Sequence, residues 1–265
     1  MNIGIIGLGV VGGAIQHGFE RLGHQISFHD IKFNTNIENV LQTEINYICV
    51  PTPSKEDGSC DVSIVEKVVQ ELIDADYKGI IAIKSTVIPG TTRKLQEKHP
   101  EKKICFVPEF LRERCALTDF VENHDLCVVG TEDSEIFEIV KKTHGRFPEK
   151  VVQVSPTEAE LIKYFNNTFF ATLITYANSF YEVCKALDAD YNNVKEAVTN
   201  RKFISNYYLD CSVNLRGFGG VCLPKDTKAL ARLIDELKLD IDFFDTILNE
   251  NSKYESTVYD GMRNE

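Results

Sequence analysis

Asn2-Ile3-Gly4-Ile5-Ile6-Gly7-Leu8-Gly9-Val10-Val11-Gly12 decides the fold. Its first half is a short apolar run of strand type. Its second half is spaced G-x-G-x-x-G, and a helical pattern follows directly. Alone, three spaced glycines mean only a glycine-rich turn. Between a strand and a helix each has a separate task. Gly7 permits the tight turn, Gly9 lets the backbone approach a pyrophosphate, and Gly12 allows close helix–sheet packing. The helix start, at Val10 and Val11, adds N–H donors and the positive end of the helix dipole. Asp30 closes the next strand, in the window about 20 residues on where an acid binds ribose hydroxyls. A carboxylate there repels a 2′-phosphate, so NAD is favoured over NADP. Lys32 nearby reads as an ordinary solvated lysine.

Working outward, short β-rich runs recur at Ile26–Phe28, Tyr47–Val50, Ile80–Ile83, Ile104–Phe106 and Leu126–Val129. Helical patterns separate most of them, for example Val62–Ile73 and Ser134–Lys142. Short apolar strands between amphipathic helices predict an α/β fold, a doubly wound Rossmann-type parallel sheet covered on both faces. The character changes near residue 155. Ser155-Pro156-Thr157-Glu158 predicts a helix start, with Ser155 as N-cap, Pro156 at the first helical position and Glu158 completing a capping box. Helical periodicity then runs unbroken to about Leu187. Further helices are expected over Asn192–Thr199, from just after Pro224, and over Asp242–Val258. The expectation is a Rossmann domain over residues 1–154 and an all-helical domain with one long helix over residues 155–265.

Composition narrows the partners. The chain has 265 residues, 43% of them hydrophobic, and a net charge of -11. That balance argues against nucleic acid, because phosphate backbones demand clustered Lys and Arg. The eight cysteines show no C-x-x-C pair and no zinc-ligand spacing, so no metal site is expected. No leader and no membrane-spanning run is evident. The reading is a cytoplasmic protein with reduced thiols and no membrane partner.

Four later segments read as loops at the carboxyl ends of strands, where open α/β sheets bind ligands. They are Val50-Pro51-Thr52-Pro53, Ser85-Thr86-Val87-Ile88-Pro89-Gly90-Thr91, Pro108-Glu109-Phe110-Leu111-Arg112-Glu113, and Gly217-Phe218-Gly219-Gly220-Val221-Cys222-Leu223-Pro224-Lys225-Asp226. With Glu158-Ala159-Glu160-Leu161-Ile162-Lys163-Tyr164 before Asn167, the chain resembles the UDP-glucose/GDP-mannose dehydrogenase family from residue 1 almost to its end. Leu223-Pro224-Lys225-Asp226-Thr227-Lys228 looks most like the UDP-glucose dehydrogenase branch.

That resemblance implies oxidation of a primary alcohol to a carboxylate in two NAD-dependent steps, through a cysteine thiohemiacetal and thioester. Cysteine suits the task because its thiolate is strongly nucleophilic near neutral pH. By resemblance Cys222 is that nucleophile; on the residues alone, a lone loop cysteine is more often structural. Lys163 and Asn167, four apart on one helix face, would hold the alcohol oxygen and its developing charge. Asp226 would assist proton transfer or position water. Glu109, helped by Thr86, would activate the hydrolytic water. Phe110, Leu111, Arg112, Phe218, Gly219 and Lys225 look like substrate positions. Val50, Pro51, Thr52, Pro53, Ser85, Thr86 and Glu113 look like cofactor positions, and Val87 joins them.

The match departs in places. Val107 stands where the family has Asn, and Arg114 where it has Gly. By the resemblance a third domain would complete the nucleotide-sugar pocket, and the expectation is that this chain lacks it. The leading substrate is UDP-glucose. GDP-mannose or a UDP-N-acetylhexosamine, a single-step β-hydroxyacid dehydrogenase, and a non-catalytic NAD-binding remnant stay open as alternatives. The family also implies a homodimer built on the long helix.

Overall fold

The computed structural model describes residues 1–254 and 256. The chain divides into two compact units. The first comprises Met1–Pro53 and Asp61–Lys163, the second Ser54–Cys60 and Tyr164–Glu265.

The first unit is a seven-stranded sheet in the order β2-β1-β3-β4-β5-β6-β7. Its strands are β1 (Asn2–Ile6), β2 (Gln25–His29), β3 (Ile45–Ile48), β4 (Ile80–Ile83), β5 (Lys103–Phe106), β6 (Leu126–Gly130) and β7 (Lys150–Val154). Helices α1 (Val10–Arg21), α2 (Ser63–Asp74), α3 (Thr91–Lys98), α4 (Ala116–Val121) and α5 (Ser134–His144) connect them. β1 to β5 are parallel, with Ile3 opposite both Ile26 and Ile45. β1, β3 and β4 are almost wholly buried, which is why they read as continuous apolar runs. One core cluster holds Ile5, Phe19, Tyr47 and Phe120, and the other holds Ile48, Leu72, Ile81 and Phe106.

The fold class is the expected one, and two details differ. β6 meets β5 antiparallel through Phe106 and Gly130, so β6 and β7 run against the other five strands. β7 itself lies outside the expected runs. It is an edge strand whose Lys150 and Gln153 face solvent, which breaks up its apolar signal.

Strand order reverses between β1 and β3, the place where such sheets bind ligands. The carboxyl ends of β1, β3, β4 and β5 carry the glycine turn, Val50–Pro53, Ser85–Thr86 and Glu109 respectively.

Helix α6 (Pro156–Ala186) begins in the first unit and continues into the second. Its capping box forms as expected. Glu158 N–H donates to Ser155 Oγ, and Ser155 N–H donates to Glu158 Oε2 at 2.8 Å. The second unit adds α7 (Tyr191–Thr199), α8 (Cys222–Glu236) and α9 (Phe243–Asn251). The helix expected after Pro224 starts at Cys222 instead. Pro224 sits in its first turn, where the missing N–H costs nothing. The last expected helix ends at Asn251: residues 252–254 leave it as a turn, and of the expected stretch to Val258, Glu255, Thr257 and Val258 lie outside the described residues.

Candidate active site

The glycine turn has the geometry a dinucleotide needs. Gly7 adopts φ +92°, and a Cβ there would lie 2.7 Å from Cys49 O. A Cβ on Gly12 would meet Gly7 O at 1.9 Å, so helix and turn pack too closely for any side chain. Gly9 has open space where its Cβ would be. No side chain caps α1, and its first turn carries no acid to repel a phosphate. Asp30 closes the turn: Oδ2 accepts from Leu8 N–H at 2.6 Å and Oδ1 from Lys32 N–H at 2.7 Å. Slight burial raises its pKa, but these two N–H donors outweigh that and hold it below the usual carboxylate value. A carboxylate has further lone pairs, so Asp30 can hold the turn and still accept from a ribose hydroxyl. The residues present fit NAD.

The neighbouring loops are tied to one another. Ser85 Oγ donates to Val50 O at 2.7 Å, linking the ends of β4 and β3. Buried Glu160 accepts from Gly90 N–H and, at 2.8 Å, from Thr92 N–H, so α6 anchors the loop after Thr86. Thr52 is buried, Thr86 half-buried, and Val10, Pro51, Pro53 and Glu113 are exposed. Val87, expected at the cofactor, is fully buried in the core instead.

Glu109 and Lys163 form a buried ion pair. Lys163 Nζ donates to Glu109 O at 2.6 Å and to Oε1 at 2.9 Å. It also lies 5.6 Å from the centre of the Phe110 ring. Leu111 N–H donates to Glu109 Oε2 at 2.7 Å. Burial disfavours the charged carboxyl, but Lys163 and that N–H hold its pKa below the ordinary value. Arg112 is drawn aside: its guanidinium grips Asp119 with bonds of 2.9 and 2.6 Å.

Four residues past Lys163 on α6, buried Asn167 donates from Nδ2 to Asp226 Oδ2 at 2.6 Å. Lys225 Nζ donates to the other Asp226 oxygen at 2.6 Å. Asp226 is the fifth residue of α8, and Cys222 is the first, with its side chain exposed. The loop before Cys222 is clamped at two points. Asn178 Oδ1 accepts from Gly217 N–H at 3.1 Å, and Asn251 exchanges two bonds with the Phe218 backbone at 2.7 and 2.9 Å. Gly217 and Gly220 hold positive φ, +57° and +75°. Phe218, expected at the substrate, instead buries its ring against Ala171 and Ile247. It can offer a ligand only its backbone.

Sequence reasoning passed over Asn178, Asn251 and Glu160. Polar residues on a helix read as solvated unless a glycine loop is known to lie against them.

Residues 28–148 match the model for the NAD binding domain of the UDP-glucose/GDP-mannose dehydrogenase family, and residues 157–253 match its central domain. The structure of a UDP-glucose dehydrogenase from Pyrobaculum islandicum superposes with a TM-score of 0.86 at 30% identity, covering 95% of this chain and 68% of that one. This chain belongs to the UDP-glucose/GDP-mannose dehydrogenase family. Its first unit carries the family's NAD-binding domain, so its cofactor is NAD. UDP-glucose 6-dehydrogenase of Rickettsia bellii is 32% identical, matching 84% of this chain and 52% of its own length. GDP-mannose 6-dehydrogenase of Pseudomonas syringae pv. tomato is 29% identical, over 84% and 54%. The chain thus spans about half the length of these two family members. No helix among the described residues is long and apolar enough to cross a membrane.

Proposed function

We propose that the chain oxidises UDP-glucose to UDP-glucuronate in the cytoplasm, with residues 1–154 binding NAD and residues 155–265 supplying the nucleophile and a dimer contact. The observation carrying this reading is the pair of buried donors on α6. Lys163 on Glu109 and Asn167 on Asp226 sit one helical turn apart. A structural helix has no need of two such polar anchors in succession. Both relatives and a solved structure also act, by name, on nucleotide sugars.

NAD, which the Gly7–Gly12 turn and Asp30 would hold, would supply the hydride acceptor for each of two oxidations, a fresh NAD for the second. Lys163 and Asn167 donate to the primary alcohol oxygen as its proton passes to a water that Asp226 positions and charge develops there. The Cys222 thiolate then adds to the aldehyde carbon, forming a C–S bond while the oxygen takes the electron pair. Cys222 starts a helix, a place that favours anions. Loss of the second hydride leaves a thioester. Glu109, with Thr86, takes a proton from water, the water oxygen attacks the thioester carbon, and the thiolate departs. Asp226 holds Asn167 and Lys225 through the sequence.

The chain, purified and supplied with NAD and UDP-glucose, should form two NADH per UDP-glucuronate, and Cys222→Ala should form no acid. NAD binding without turnover of any nucleotide sugar would sink the reading. One NADH per product would point to a single-step dehydrogenase. Preferential turnover of GDP-mannose or a UDP-N-acetylhexosamine would keep the chemistry and change the substrate.

A further inference from the structure

Lys84 directly follows β4 and is only 3% exposed. Its ammonium can donate three hydrogen bonds, yet it reaches only Val107 O at 3.3 Å and Pro108 O at 3.5 Å. Those carbonyls belong to the two residues just before Glu109. Lys84 and Glu109 also line one small cavity of about 20 Å³, together with Phe110, His124 and two further carboxylates, Asp119 and Asp125. A cavity of that size holds about one water.

A buried ammonium needs a negative partner. From β3, Lys84 faces Cys49 and the Tyr47 ring, the latter at 5.8 Å. Cys105 faces it from β5 and Cys127 from β6, His144 from α5, His124 from the turn before β6, and Lys163 from α6. Burial pushes the Cys49 thiol up to about 12 and the Cys127 thiol up to about 11, and raises Cys105 further. Burial also pushes His124 down to about 4 and His144 well below its ordinary value. At neutral pH none of these thiols or rings carries charge. Of the carboxylates lining that cavity, Asp119 is taken by the Arg112 guanidinium and Asp125 is exposed to solvent. Glu109 is the buried one whose charge Lys84 feels, and Lys163 is the other ammonium beside it.

Lys163 has two tasks in the proposed reaction. It pairs with Glu109, and it turns toward the substrate oxygen. A buried carboxylate whose ammonium is diverted takes up a proton and cannot serve as a base. We infer that Lys84 is a positioning residue that keeps Glu109 ionised when Lys163 engages the substrate. Lys84 acts through Glu109 and touches no reacting atom. The inference rests on the proposed role of Glu109 as the base for water.

The test reads Glu109 directly. The chain is labelled with carboxyl-carbon-13 glutamate, Glu109→Gln identifies the resonance, and its pH midpoint is followed by NMR. In the Lys163→Ala background, Lys84→Met should raise the midpoint by about one pH unit or more, a tenfold change in the acid constant. The rise should be smaller where Lys163 remains. Lys84→Arg, which keeps the charge, should restore the midpoint. A purely space-filling role would give the opposite ranking, with Met tolerated and Arg not. An unchanged midpoint in Lys163→Ala/Lys84→Met, with the protein folded by circular dichroism, overturns the inference. NADH formation is measured separately on the unaltered chain. No turnover there, with the predicted midpoints, leaves the counter-charge standing and removes the catalytic reading. Turnover with indifferent midpoints does the reverse.

Discussion

Asn167 donates to Asp226 at 2.6 Å, and both side chains are almost fully buried. This bond ties α6 to the helix that begins with Cys222. It also fixes which way the Asn167 amide points, so the group proposed to meet a developing oxyanion is held before any substrate arrives.

Asn167→Ala removes that donor and leaves a buried carboxylate oxygen bare. The expected loss is about 1–3 kcal/mol in urea unfolding. With nucleotide sugar and NAD, kcat should fall by about 10²–10³, with a smaller change in KM. A variant as active as the parent would show that Asn167 only braces α8.

Gly9 and Gly12 separate ligand approach from packing. A Cβ at Gly9 meets nothing within 4 Å, whereas one at Gly12 strikes Gly7 O. Gly9→Ala should therefore keep stability within about 0.5 kcal/mol of the parent while weakening NAD binding at least about tenfold. Gly12→Ala should lose both, with a stability cost of about 1–3 kcal/mol. Calorimetric titration with NAD and urea unfolding read the two effects independently.

The pattern of what the sequence disclosed follows from this contrast. Backbone constraints leave marks: the glycine turn needed positive φ at Gly7, and the capping box needed Ser155 and Glu158 at fixed spacing. Tertiary partners leave none. Lys84 follows the run Ile80–Ile83 and looks like a solvated strand end, because nothing local says that three further strands and α6 cover it. Strand direction is equally silent. The apolar run of β6 reads the same in either sense, so its reversal against β5 appears only when Phe106 is found opposite Gly130. The start of α8 was misplaced for a local reason. A proline suggests a helix that starts just after it, yet Pro224 is the third residue of α8, where the first turn needs no N–H donor.

Asp119 gives a pH test. Its carboxyl is held well below the usual carboxylate range, chiefly by the Arg112 guanidinium against opposing desolvation. A folded pKa below the unfolded value of about 3.9 means that the unfolded chain takes up the proton first as pH falls. The stabilisation is complete above that unfolded value and is lost as pH drops toward the folded one. Arg112 is half exposed, so solvent screening limits the contribution to about 1–2 kcal/mol. Asp119→Asn should thus destabilise by about that amount at pH 7, and the gap should narrow toward pH 2. A gap that stays constant over this range would mean that the carboxylate charge plays no part.

The long helix supplies the last expectation. Leu161, Phe165, Phe169, Tyr176, Phe180 and Val183 on α6, with Leu187 just beyond it, are all exposed, and their spacing of three, four or seven residues puts them on one face. Phe165 and Leu187 are each 74% exposed. Phe165 and Phe169 stack at 6.4 Å. A stripe of this extent on a helix of 31 residues suits the proposed dimer contact. A two-fold axis across it would let each stripe cover its own copy. The unaltered chain should sediment as a dimer at micromolar concentration, and Phe165→Glu with Phe180→Glu should shift it to monomer while NAD still binds, because neither residue belongs to the unit that holds the glycine turn. A monomeric parent chain would defeat the expectation, and the stripe would then need a different cover.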